Sequence, residues 1–238
     1  MIKLGIIGAM EEEIETLLTC LEKKISSHHS GSVFYEGTLE GLPVVIVQCG
    51  IGKVNAAICT QILIDLYGVT HILNTGIAGS LNPRLDIGDL VISRDAMYHD
   101  VDCAAFGYPL GKVPGMDTAA FPADPELIQQ AWQAAEAENP GHNRIARIAS
   151  GDQFVSQKAL KERIISITGG DCTEMEGAAI AQTAYRAGIP FVILRAISDK
   201  ADDSAEMDYP SFETLAAHRC AQVTSLLAKK LVEEESGE

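Results

Sequence analysis

Three groups of polar residues stand where acid–base chemistry is possible. The first is Glu11-Glu12-Glu13, which follows the apolar run LGIIGAM and opens a stretch of helical periodicity. The helix macrodipole favours carboxylates at an N-terminus by about 0.3–1 kcal/mol each, so part of this cluster needs no other reason to exist. Consecutive residues point in different directions around a helix, so at most two of the three can face one site. The second group is Glu174-Met175-Glu176, ahead of the small-residue helix GAAIAQTAYRA. Free backbone N–H groups collect at such a start, and a carboxylate fixed there at Glu176 suits hydrogen bonding to a sugar diol. The third is FVILRAISD, residues 191–199, an apolar strand that delivers Arg195, Ser198 and Asp199 toward its C-terminal end. Polar groups in such a strand are costly unless paired, which leaves a structural ion pair or a site as its two readings.

Other chemistries find less support. Gly50-Ile51-Gly52 begins a dinucleotide fingerprint, but Asn55 occupies the third glycine position. Around Gly52-Lys53, Val47 and Val54 stand where a P-loop needs Gly and Ser/Thr. A tight strand-to-helix turn accounts for both. The run Tyr98-His99-Asp100-Val101-Asp102 lacks further ligands at a metal-site spacing, and no metal is expected. Neither a nucleophile elbow nor a Cys/His pairing appears.

The elements that must position these groups are short β-branched runs at 3–7, 43–49, 71–74, 89–93, 144–149 and 191–196. Helical patterns occupy 11–24, 54–67, 125–138, 156–166, 176–187 and 211–233, with Gly188 and Pro190 stopping the fifth. Alternating strands and helices predict an α/β fold with a mostly parallel sheet, which binds ligands at the C-terminal ends of its strands. No linker or repeat divides residues 1–238, so one domain is expected, with an irregular loop at 98–125.

Composition sets the outer limits. The 238 residues include 18 Lys+Arg against 33 Asp+Glu, a net charge of −15, and 47% are hydrophobic. That is enough apolar material for a core, and the acidity opposes nucleic-acid and anionic-membrane partners, which need clustered cations. No run approaches the roughly 20 apolar residues that span a bilayer. The apolar N-terminal run is short and meets acids where a leader would be cleaved. Six scattered cysteines without metal spacing read as reduced thiols of a cytoplasmic protein. Most of the surplus acid, including the tail at 233–235 and 238, reads as solvated surface.

Taken in order, GIIGAMEEEI, CGIGKVNA, NTGIAGSL, YHDVDCAAFGYPLG, SGDQF, EMEGAAIA and RAISDKAD resemble the 5′-methylthioadenosine/S-adenosylhomocysteine nucleosidases of the nucleoside phosphorylase superfamily. The resemblance runs from residue 2 to about residue 230. It implies a three-layer α/β/α sandwich with a mixed, mostly parallel sheet. It also implies irreversible hydrolysis of an N-glycosidic bond, releasing adenine and a 5-thioribose without a cofactor. Leaving adenine needs a proton at N7, attacking water needs a base, and the cation developing at C1′ needs negative charge nearby. By motif position, Glu13 corresponds to the water-activating base and Asp199 to the acid. Glu176 corresponds to the residue holding the ribose 2′- and 3′-hydroxyls, beside Met175. The resemblance also has Arg195 orienting Glu13 and the water, and Ser198 supporting Asp199. Phe154 and Val155 correspond to the adenine-stacking segment, while Met10, Ile51 and Tyr209 correspond to the lining of the 5′-alkylthio pocket. Gly79 corresponds to a point of close backbone approach to ligand. Phe106 lies in a loop that reaches into the partner's site in the family, which implies a homodimer.

Two positions depart from part of the family: Ile77 replaces Ser, and Tyr209 replaces Phe. The nearest rival activity is a purine nucleoside phosphorylase. Its phosphate dianion would meet the acids of the first loop, at a cost of about 4 kcal/mol per charge pair 4 Å apart at an effective dielectric near 20. Hydrolysis of a related nucleoside, 5′-deoxyadenosine or futalosine, keeps the same glycosidic chemistry. A non-catalytic binding protein would have no need to retain Glu13, Glu176 and Asp199 together.

Overall fold

Five buried residues, LGIIG, form β1 (Leu4–Gly8), and α1 (Glu11–Cys20) begins after only Ala9 and Met10. Gly8 permits that sharp entry, because a Cβ there would stand 2.6 Å from Ile14 Cγ2. A computed structural model describes residues 1–236 of the chain. Gly237 and Glu238, the end of the acidic tail, lie outside the described residues, as do the side chains of Glu206, Met207, Glu235 and Ser236.

The helical pattern read to residue 24 stops at Cys20. Residues Glu22–His29 instead form β2, an edge strand paired with β3 (Ser32–Leu39), which in turn pairs with β4 (Leu42–Gln48). The side chains of β2 are mostly exposed, so the strand carries no apolar alternation to announce it. Its turns do carry a mark. Ser30-Gly31 (φ 50° and 85°) and Glu40-Gly41 (φ 51° and 85°) are consecutive left-handed pairs of the kind two-residue hairpins require.

The chain continues through α2 (Lys53–Asp65), β5 (His71–Ser80), β6 (Leu90–Tyr98), β7 (Ala120–Pro122), α3 (Pro125–Glu138), β8 (Asn143–Ser150), α4 (Lys158–Thr168), β9 (Cys172–Glu174), α5 (Gly177–Ala187), β10 (Phe191–Asp199) and α6 (Ala205–Ser236). Strands β4, β1, β5 and β10 run parallel side by side, as do β6, β8 and β9. Antiparallel pairs β10–β6 and β5–β9 join the two blocks, closing β5, β10, β6, β8 and β9 into a ring. Apolar side chains of α2 and α5 cover one face of the sheet, and those of α1, α3 and α6 cover the other. The result is a mixed-sheet α/β/α sandwich.

Strand β5 outruns its expected end at Asn74. The segment TGIAGS stays paired with β10, and a register shift between Ile197 and Asp199 sets Gly79 opposite Asp199. Small residues suit this place because side chains from neighbouring elements press against the strand. At Gly76 a Cβ would collide with Arg195 Nη1 and the Glu13 carboxylate, and at Gly79 it would lie 2.8 Å from Asp199 Oδ1. Strands β5 and β10 therefore run on together past the last β1 pair, Ile7 opposite Asn74, to the edge where the polar groups gather. No helix among the described residues is long and apolar enough to cross a membrane.

Candidate active site

Of the three acids that open α1, Glu11 and Glu12 face solvent, whereas Glu13 is 2% exposed. Its side chain turns back on the helix start. Oε2 accepts hydrogen bonds from the N–H groups of Ala9 (2.6 Å) and Met10 (3.1 Å), and Oε1 accepts one from Ile77 (3.1 Å). Arg195 Nη1 lies 3.7 Å from Oε1. Burial pushes the Glu13 carboxyl above its usual range, while Arg195 and the three N–H groups pull it back.

Glu176 sits immediately before α5, but the free N–H groups there do not hold it, contrary to the sequence reading. They belong to Glu174, whose Oε2 accepts from the N–H groups of Glu176 (3.0 Å) and Gly177 (2.7 Å). Glu176 extends away from its own helix, because the closer carboxylate two residues back already occupies that start. Its Oε1 accepts instead from Gly52 N–H at 2.8 Å, at the first turn of α2. The Gly50-Ile51-Gly52 turn thus receives a carboxylate. Asp152 takes the next donor, Lys53 N–H, at 2.9 Å. Burial and the neighbouring Glu174 charge raise the Glu176 carboxyl to about 7, against the opposing pull of Arg195.

Arg195 lies in the middle of β10 and is 1% exposed. Its Nη2 donates to Asn74 Oδ1 (2.6 Å) and Glu174 Oε2, lies 3.6 Å from Glu176 Oε2, and Nη1 donates to Ile77 O at 3.3 Å. Burial opposes its charge, but Glu174, Glu13 and Glu176 outweigh that and hold the guanidinium above its usual range. Asp199 ends the strand. Its Oδ1 accepts from Ala201 N–H (2.7 Å) and Oδ2 from Ser198 Oγ (2.8 Å), and burial raises its carboxyl.

These groups share one cavity of about 440 Å³. Glu13, Glu174, Glu176, Arg195, Ser198 and Asp199 line its polar side; Met10, Ile51, Phe154, Val155, Met175 and Tyr209 line its apolar side, and Gly79 also borders it. Phe154 meets Tyr209 edge-on at 5.5 Å, and the Tyr209 hydroxyl donates to Met10 Sδ at 3.3 Å. Phe106 does not join them. It lies on a 3₁₀ turn, Ala104–Phe106, and is 83% exposed. Asp100, weighed above as part of a metal motif, accepts from Lys53 Nζ (2.6 Å) and Asp152 N–H (3.0 Å), tying two loops together beside the site.

The sequence reading assigned no role to Glu174, Asn74 or Ser150. Asn74 and Ser150 share their strands with other polar residues, such as His71 and Thr75 in β5 and Arg144 and Arg147 in β8, so nothing in the sequence singles them out. All three are buried.

The model of the phosphorylase superfamily matches residues 3–230. A 5′-methylthioadenosine/S-adenosylhomocysteine nucleosidase of Chromohalobacter salexigens is 43% identical over 235 residues, covering 96% of this chain and 97% of that protein. The chain belongs to this nucleosidase family. A solved structure of the Neisseria meningitidis nucleosidase in complex with methylthio-immucillin-A superposes with a TM-score of 0.94 at 38% identity, covering 97% of this chain and all of that one. Futalosine hydrolase of Helicobacter pylori superposes with a TM-score of 0.92 at 33% identity, over 96% of this chain and 98% of that one.

Proposed function

We propose that this chain hydrolyses the N-glycosidic bond of 5′-methylthioadenosine and S-adenosylhomocysteine, and of 5′-deoxyadenosine, releasing adenine and the 5-substituted ribose for methionine salvage. The observation that carries the reading is the charge of the cavity wall. Arg195 is the one cation among the described lining residues, and three carboxylates already surround it. A phosphate dianion would enter a net negative site, whereas water and an uncharged nucleoside core would not meet that repulsion.

Glu13 activates the water. Its raised carboxyl suits a group that must take and hold a proton. Asp199, also raised, protonates N7 of the leaving adenine, with Ser198 holding its other oxygen. Glu176 binds the ribose hydroxyls beside Met175. Phe154 and Val155 take the adenine, Gly79 allows close backbone approach, and Met10, Ile51 and Tyr209 enclose the 5′ substituent. Arg195 orients Glu13. The enzyme acts as a cytoplasmic homodimer in which Phe106 of each chain completes the other's site. Its exposure is consistent with that role.

The test is adenine release in phosphate-free buffer from methylthioadenosine, adenosylhomocysteine, 5′-deoxyadenosine and futalosine in parallel. Release of adenine from the two thio-nucleosides without phosphate is expected. Dependence on phosphate, or formation of ribose 1-phosphate, overturns hydrolysis. The futalosine hydrolase likeness favours a second reading, in which futalosine turns over faster than either thio-nucleoside.

A further inference from the structure

Arg195 is surrounded by more negative charge than it can balance, and its contacts are unequal. Glu13 and Glu176 approach it at 3.7 and 3.6 Å, beyond hydrogen-bond distance, whereas Glu174 accepts directly from Nη2. Glu174 is itself held from three sides. The N–H groups of Glu176 and Gly177 reach Oε2, and the Ser150 hydroxyl donates to Oε1. Ser150 is fixed in turn by the Ala178 N–H, which donates to its Oγ at 2.7 Å. Two rigid elements, the end of β8 and the start of α5, thus lock one carboxylate behind the guanidinium.

We infer that Glu174, clamped by Ser150 and the first turn of α5, is a positioning residue that sets Arg195 between Glu13 and Glu176 and takes up its charge. Glu13 and Glu176 then lie near a cation without being neutralised by it, and so remain available for water and ribose. The inference rests on the roles given above to Glu13 and Glu176, and deepens them. Around Glu176 the charged and titratable groups are Glu13 from α1, Glu174 from β9, Arg195 from β10 and the Cys49 thiol before α2, with the Gly52 N–H as its donor. Removing the Glu174 charge both deletes a like charge beside Glu176 and frees Arg195 to pair with it. Both changes favour the ionised form of Glu176.

The test follows Glu176 by carboxyl ¹³C NMR titration of the unliganded protein, with kcat and KM measured alongside for Glu174→Gln and Ser150→Ala. For Glu174→Gln, the Glu176 titration is expected to move down by about one pH unit. Its kcat is expected to fall by about 10- to 100-fold with KM within about threefold, as misplacement of catalytic groups does. Ser150→Ala keeps the charge, so its titration stays near wild type while kcat falls several-fold. A kcat loss in Glu174→Gln with an unshifted titration shows a merely structural role and overturns the inference, as does a titration and kcat both like wild type. If Glu174→Gln does not fold, Ser150→Ala decides through the split between kcat and KM: a several-fold lower kcat with KM within about threefold upholds the inference, and wild-type kcat or a parallel change in both overturns it. The titration needs no turnover, so wild-type protein that releases no adenine would refute the proposed activity and leave this result readable.

Discussion

Glu13 and Asp199 are both buried carboxyls above their usual pKa range, yet their surroundings divide the labour between them. Glu13 accepts three backbone N–H groups and lies beside Arg195, all of which favour its ionised form. Burial raises Asp199, the hydrogen bonds from Ala201 and Ser198 pull it back, and the Asp208 and Asp202 charges raise it further. Of the two, Asp199 is better placed to carry a proton toward a leaving group, and Glu13 to accept one from water. Under the proposed mechanism, Glu13→Gln and Asp199→Asn each reduce adenine release by about 10²–10⁴-fold with the circular dichroism spectrum unchanged. Near wild-type turnover in either variant would contradict its assignment. The pH dependence follows from the same groups. Below about 7, where Glu176 gains its proton, kcat/KM falls because neither ribose binding nor cation stabilisation works with a neutral carboxyl. An acid limb is expected, and it belongs to Glu176. A profile that stays flat down to about pH 5.5 would rule this out.

Elements place these groups with less freedom than their separation in sequence implies. Strand β5 brings Asn74, Gly76, Ile77 and Gly79 to the site in a single extended run, where between them they meet Glu13 on α1 and Arg195 and Asp199 on β10. The strand read from the sequence stops at Asn74 because T-G-I-A-G-S carries two glycines and two further small residues, the composition of a turn. Tertiary packing overrides it: Arg195 and Asp199 need bare backbone beside them, and pairing with β10 supplies the strand. Strands β1, β4 and β10 were legible because burial on both faces leaves them continuously apolar. Glu13 was legible at a helix start, Asp199 at a strand end, and Arg195 as a charge inside an apolar strand. The clamp at Glu174 was not, since only the fold shows which of two acids turns toward the helix start. Gly76→Ala tests the element directly. Its methyl group would displace Arg195 or Glu13, costing about 1–3 kcal/mol of stability. A loss of activity exceeding about tenfold is expected with it, because two positioned groups move at once. An active, equally stable Gly76→Ala protein would show that the strand tolerates a side chain and that the crowding argument fails.

At the scale of the whole molecule, two consequences follow. If Phe106 completes a neighbour's site, sedimentation gives a dimer, and Phe106→Ala raises KM more than it lowers kcat. A fully active monomer would sink that proposal. The second consequence concerns stability and the charge of −15. Self-repulsion among surface acids weakens the fold as pH rises through the ordinary carboxylate range, and the site adds a contribution of the same sign. Glu176 is raised from 4.5 to about 7 in the folded chain, so between those values the native state binds more protons than the unfolded state. The stabilisation this brings is fully present below 4.5 and is lost as pH rises through about 7. Lowering the pH from about 8 to 6 therefore raises Tm through Glu176, because surface carboxylates stay ionised over that interval, and Glu176→Gln tests it. The variant keeps the surface charges and lacks the titrating group. At fixed protein concentration its Tm must climb less steeply than that of wild type over the same interval. Parallel Tm curves would mean that Glu176 does not hold a raised pKa in the free protein, and would remove the basis for placing the acid limb of the activity profile near 7.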